Sequence, residues 1–130
     1  MQKWNDLLIT SDARWFEIGD GLKFKLFSIH STAFKKRQRQ LGFEYSDDEE
    51  DRYAMAARGA LCLVQTWEGM FDEVTSEDGE SELVEVPYSE EEAKKRILDP
   101  DAAPVVEWIT NTAVTDEAFR KKPIEEVVKN

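Results

Sequence analysis

Apolar and polar positions change their period along this chain, and the changes mark its elements. Leu22, Phe24 and Leu26 alternate with Lys23 and Lys25, a two-residue period that predicts a strand with one wet face. Arg14-Trp15-Phe16-Glu17-Ile18 precedes it across Gly19-Asp20-Gly21, so the two runs predict a β-hairpin. Phe27 and Ile29 break the alternation, as at a bulge or a strand end buried on both faces. Two strands are marginal in water, and this hairpin must lean on helices or on a partner.

The period then lengthens. Ser31 or Thr32 caps a helix carrying Ala33, Phe34, Leu41 and the basic run Lys35, Lys36, Arg37 and Arg39, stopped by Gly42. Ser46 with Glu49 has capping-box spacing, and the acids at 47–51 suit a first helical turn. The helix they open is expected to run from 46 to about 67, with Asp51, Arg58 and Gln65 as a narrow wet stripe. Its Gly59 costs about 1 kcal/mol of helix propensity relative to alanine, which suggests a packing reason for it.

Beyond Glu68, acids crowd around Ser76-Glu77-Asp78-Gly79, and Thr75–Glu82 is expected to be an exposed acidic loop. Leu83 to Tyr88 alternates, but Pro87 restricts it to a short edge strand or an extended segment. Ser89 and Glu92 form a second capping box for a helix over 89–98, ended by Asp99-Pro100. Asp101 is the expected cap of a helix over 101–114, where Val105, Trp108, Ile109 and Ala113 make an apolar stripe. A helical turn follows at 115–119, and 121–130 reads as a tail. The expected fold is therefore mainly α (α+β), one compact helical domain over 1–130 with a small N-terminal β-hairpin.

Charge sharpens this picture through its placement. The net charge is -11, but residues 1–43 carry +4, residues 44–92 carry -15 and residues 93–130 carry 0. Such acidity favours solubility and disfavours direct nucleic-acid binding, while the segregation suits head-to-tail association of copies. No apolar run approaches the roughly 20 residues that span a bilayer, and the N-terminus lacks the cationic and apolar regions of a secretory signal. The cytoplasm is the expected location.

Candidate chemistry is sparse. Cys62 is the one cysteine and sits in an apolar run, so it reads as a small buried hydrophobe. His30 is the one histidine, with no base-and-orienter spacing around it. Aligned as a calcium loop, Gly79 and Glu85 take positions six and twelve, but Val74 falls where the first carboxylate is needed. There is no glycine-rich phosphate loop. The expectation is a protein with no catalytic residues, cofactor or metal. Trp67 and Trp108 fall on apolar stripes and read as core, whereas Trp4 and Trp15 are candidate contact residues.

The run Ala56–Val64, Trp67-Glu68-Gly69, Pro87-Tyr88-Ser89 with Glu91 and Ala93, then Trp108-Ile109 and Phe119, resembles the tail assembly chaperones of long-tailed bacteriophages over roughly residues 13–120. The Thr75–Glu82 segment is longer and more acidic than the compact Asp-Gly turn of that family. The resemblance implies a non-enzymatic protein of the infected bacterial cytoplasm, absent from the mature virion. It would bind the tape measure protein and help recruit tail tube subunits. The alternative is an acidic interaction protein, or nucleic-acid mimic, that binds a basic partner. The expected binding surface joins Trp15, Phe24 and Phe34 to Lys35, Lys36, Arg37 and Arg39, where an amphipathic helix could lay its apolar face and acidic flank.

Overall fold

The computed structural model describes residues 3–41 and 52–121. Strands β1 (Arg14–Gly19) and β2 (Leu22–Leu26) form the expected antiparallel hairpin, with Phe16 opposite Phe24. Asp20 and Gly21 take positive φ angles of 51° and 83° to turn it, as tight hairpin connections require. β2 is the central strand, because β3 (Val64–Glu68) pairs along its other edge. Phe24 faces Trp67, Leu26 faces Val64, and the register shifts so that Gln65 is passed over as a bulge.

Helix α1 (Thr32–Gln40) begins at Ser31, whose hydroxyl accepts the Phe34 N–H at 3.1 Å and donates to the Ser28 carbonyl at 2.7 Å. Helix α2 (Arg52–Leu63) passes straight into β3 with no intervening loop. The carbonyls of its last turn are still claimed: Phe27 N–H donates to Leu63 at 2.8 Å, and the Arg37 guanidinium to Cys62 at 3.0 Å and Leu61 at 3.4 Å. Helix ends leave such carbonyls open, and here β2's exit and α1 close them.

The expectation of a mainly α fold with strand only in the N-terminal hairpin is corrected. The described residues form five strands in two sheets, a mixed α/β architecture. Two misread segments account for this. Residues 64–67, expected to extend the central helix, pair with β2, whose open edge needs a partner. The acidic loop expected at 75–82 is the tip of a second hairpin, β4 (Phe71–Thr75) and β5 (Ser81–Glu85). Its turn at 76–80 and the short strand over 83–85 are as anticipated, whereas β4 and the strand residues 81–82 are not. The capping box at Ser46, the stop at Gly42 and the tail from residue 122 lie outside the described residues.

Helices α3 (Glu90–Ile97) and α4 (Ala103–Ala113) fall where expected. Ser89 caps α3 by accepting the Glu92 N–H at 3.1 Å, but the Glu92 carboxylate takes Arg96 at 2.9 Å, so only half of the capping box forms. Asp99, in place of the expected Asp101, caps the 3-10 turn Pro100–Ala102 that leads into α4.

The core lies between the inner sheet face and the helices. Phe24, Leu26, Leu61, Leu63, Val64, Ile109 and Phe119 are fully enclosed, and Phe24 meets Trp67 edge-on and Trp108 at a tilt. Arg14 secures the chain after α4 by donating to the Ala118 and Arg120 carbonyls at 2.7 and 2.6 Å. Gly59 has open space where a Cβ would stand, which corrects the expected packing reason for it.

Candidate interaction surfaces

The outer face of the β1–β2–β3 sheet follows from the strand period. Arg14, Phe16 and Ile18 turn inward, leaving Trp15 and Glu17 outside beside their register partners Lys25 and Lys23. Trp15 is 43% exposed, and the Lys25 ammonium sits 5.8 Å from its ring centre, within cation–π range. Lys23 pairs loosely with Glu68 at 3.9 Å.

The structure divides the expected binding set. Trp15 is accessible, and Lys35, Lys36 and Arg39 project from the exposed side of α1. Phe24 and Phe34 are only 2% and 7% exposed, so the expectation that they offer an open apolar surface is corrected: α2, β3 and α4 cover what two strands alone would leave bare. Arg37 is taken up by the α2 carbonyls. Those bonds hold α1 at the α2–β3 junction; Val64 there pairs with Leu26, one residue from Lys25. Helix α1 therefore lies near the end of the sheet that carries the Trp15–Lys25 pair, packed through Phe34 on the core while Trp15 stands on the outer face.

The second surface is the β4–β5 arm, of which sequence reasoning anticipated the turn and a short strand from Leu83 but not β4. Every residue from 71 to 85 is exposed except Asp72, and Phe71, Val74, Leu83 and Val84 are 53%, 48%, 70% and 41% accessible. Its register puts Val74 and Val84 on one face with Asp72 and Glu82, and Phe71 and Leu83 on the other with Glu73 and Glu85. The readable signal was Val74-Thr75 and Leu83-Val84 flanking Asp78-Gly79, β-formers around a turn.

The base of the arm is built in detail. Gly69 turns the chain from β3 into β4 at φ 76°, and a Cβ there would strike the Gly21 carbonyl, so glycine is required twice over. Trp67 donates its indole N–H to the Val86 carbonyl at 2.8 Å and meets Tyr88 edge-on. Arg96 forms a two-pronged pair with Asp72 at 2.8 and 2.5 Å and also holds Glu92. The Asp72–Arg96 hydrogen bond is the main reason that the Asp72 carboxyl is held below its ordinary value and the Arg96 guanidinium above its own. The residues that carry the tail-chaperone resemblance, Trp67, Gly69 and Tyr88, thus hold the arm's root.

Cys62 is fully enclosed, and burial pushes its thiol up to about 11, only partly offset by Arg37. His30 and Asp116 approach to 3.5 Å at the surface. Among the described residues, no three His, Cys, Asp or Glu side chains are grouped to hold a metal ion, and no helix is long and apolar enough to cross a membrane.

A family model described as YdaY prophage protein matches residues 25–130. The chain belongs to that family. Membership makes this a phage-derived protein, and the match begins at Lys25 near the end of β2, so it includes both the arm and the α1 cations and leaves β1 with Trp15 outside it. Neither a curated protein nor a solved structure matches the chain.

Proposed function

We propose that this prophage protein is a non-enzymatic tail assembly chaperone that binds the tape measure protein and helps recruit tail tube subunits. It would act in the bacterial cytoplasm and be absent from the finished particle. Tape measure chains are long helices whose apolar stripes are prone to aggregate before a tube encloses them, and a small acidic binder would cover those stripes and add charge. The observation that carries this reading is the accessible Trp15 with Lys25 at its ring, set at the sheet end where α1 presents Lys35, Lys36 and Arg39. An amphipathic helix fits such a surface, its apolar stripe on Trp15 and its acidic flank toward the cations.

Co-expression with the tape measure protein of the same prophage tests it. The wild-type chain is expected to keep that protein soluble and to co-purify with it. Trp15→Asp and the triple variant Lys35→Glu, Lys36→Glu, Arg39→Glu, all at exposed sites, are expected to lose it while remaining folded. A tape measure protein that stays insoluble beside the folded wild-type chain would remove the reading.

A further inference from the structure

The β4–β5 arm poses a problem that the chaperone reading does not solve. Two-stranded sheets are marginal in water, and no other helix or strand packs extensively on this one among the described residues. It nevertheless displays four large apolar side chains on five-residue strands that extend about 17 Å. Around them stand seven acids, Asp72, Glu73, Glu77, Asp78, Glu80, Glu82 and Glu85, and no base. Only Asp72 among these is engaged in an ion pair among the described residues.

The chain itself contains the complementary surface. Lys35, Lys36 and Arg39 form no ion pair among the described residues, and Lys25 contacts only the Trp15 ring as a charge partner. β1 is an edge strand, and none of its backbone groups bonds to a backbone outside the sheet among the described residues. We propose that the β4–β5 arm of one copy docks on the Trp15–Lys25 edge and the α1 cations of a second copy. Phe71 and Leu83 lie against Trp15, Glu73 and Glu85 on the same arm face meet Lys25 and the α1 cations, and the arm's free strand edge faces the free edge of β1. The contact joins two different patches, so exchange of arms closes a dimer and onward docking gives a chain of copies. It also gives the exposed Trp15 a cover that a tape measure helix would displace, although self-association does not depend on the chaperone reading.

Sedimentation of the full chain alone tests the proposal. The wild type is expected to associate at low salt, with the dissociation constant weakening roughly tenfold or more between about 0.05 and 0.5 M salt, as contacts between exposed charges do. The arm variant Glu73→Lys, Glu85→Lys and the receptor variant Lys35→Glu, Lys36→Glu, Arg39→Glu are each expected to sediment as monomers with unchanged circular dichroism. Mixing the two is expected to restore association, since the reversed charges complement one another. Leu83→Asp is expected to weaken wild-type association without unfolding the chain. A wild type that is monomeric at every concentration in low salt overturns the proposal. So does an arm variant that associates as the wild type does, or a mixture that stays monomeric.

Discussion

Replacing Arg37 by methionine keeps an apolar stem and removes the guanidinium that closes the end of α2. The structure sets the cost. The bond to the Cys62 carbonyl at 3.0 Å is a full charge-assisted hydrogen bond, whereas the one to Leu61 at 3.4 Å is long and contributes little. A hydrogen bond to a charged group contributes about 1.5–3 kcal/mol, and the partial exposure of Arg37 places this one at the lower end. Leu61 and Cys62 are enclosed, so water reaches their carbonyls poorly after the change. Arg37→Met is therefore expected to lose about 1–2 kcal/mol, equivalent to a fall in Tm of about 4–7 °C for a domain of this size. Arg37→Lys keeps the charge without the fork and is expected to lose about half as much. Urea unfolding followed by tryptophan fluorescence measures both, with an unchanged m value showing that the unfolded reference is the same. Lys35→Met and Lys36→Met, on the exposed side of the same helix, are expected to stay within about 0.5 kcal/mol of the wild type. If Arg37→Met unfolds within about 0.3 kcal/mol of the wild type, Arg37 does not stabilise the junction and the reasoning fails.

Gly59→Ala is expected to raise stability by about 0.5–1 kcal/mol in the same assay, because the new methyl meets open space in a helix interior. Gly69→Ala is expected to lose more than about 1 kcal/mol and to loosen the arm, seen as faster amide exchange in β4 and β5. Native Cys62 is expected to resist thiol reagents until denaturant is added, since a thiol at about 11 that is also enclosed has little accessible thiolate; rapid native labelling would refute this. The Asp72 carboxyl is held below its usual 3.8 in the folded chain, so its stabilising contribution is present above that value and disappears as pH falls through the lowered one. Limited proteolysis is accordingly expected to reach the arm more readily below about pH 4, and at neutral pH in Arg96→Ala.

The N-terminal hairpin, α1, α3 and α4 were legible because local signals agree there: a two-residue period, Ser31 and Ser89 as caps, and the Val105–Ile109–Ala113 stripe. Val64 to Trp67 was not, because a short apolar run at the end of a helix fits either state. Pairing with Leu26 and Phe24 decides it, and that pairing spans some forty residues of sequence. The arm was legible in part: the turn around Gly79, at φ 83°, and the strand preference of Leu83-Val84 were read, but β4 was not. Acids beside Val74-Thr75 resemble a solvated segment, and only pairing with β5 makes it a strand. Exposure was half legible: Trp15 and three cations of α1 are outside, but whether Phe24 and Phe34 are covered depends on helices distant in sequence.

Amide hydrogen exchange of the folded chain with and without the tape measure protein of its own prophage tests the central claim most directly. Protection is expected to appear in β1 around Trp15 and along the exposed side of α1 when the tape measure protein is added. Exchange that is unchanged across the whole chain would contradict a chaperone role, and protection confined to β4 and β5 would contradict the surface assigned to it.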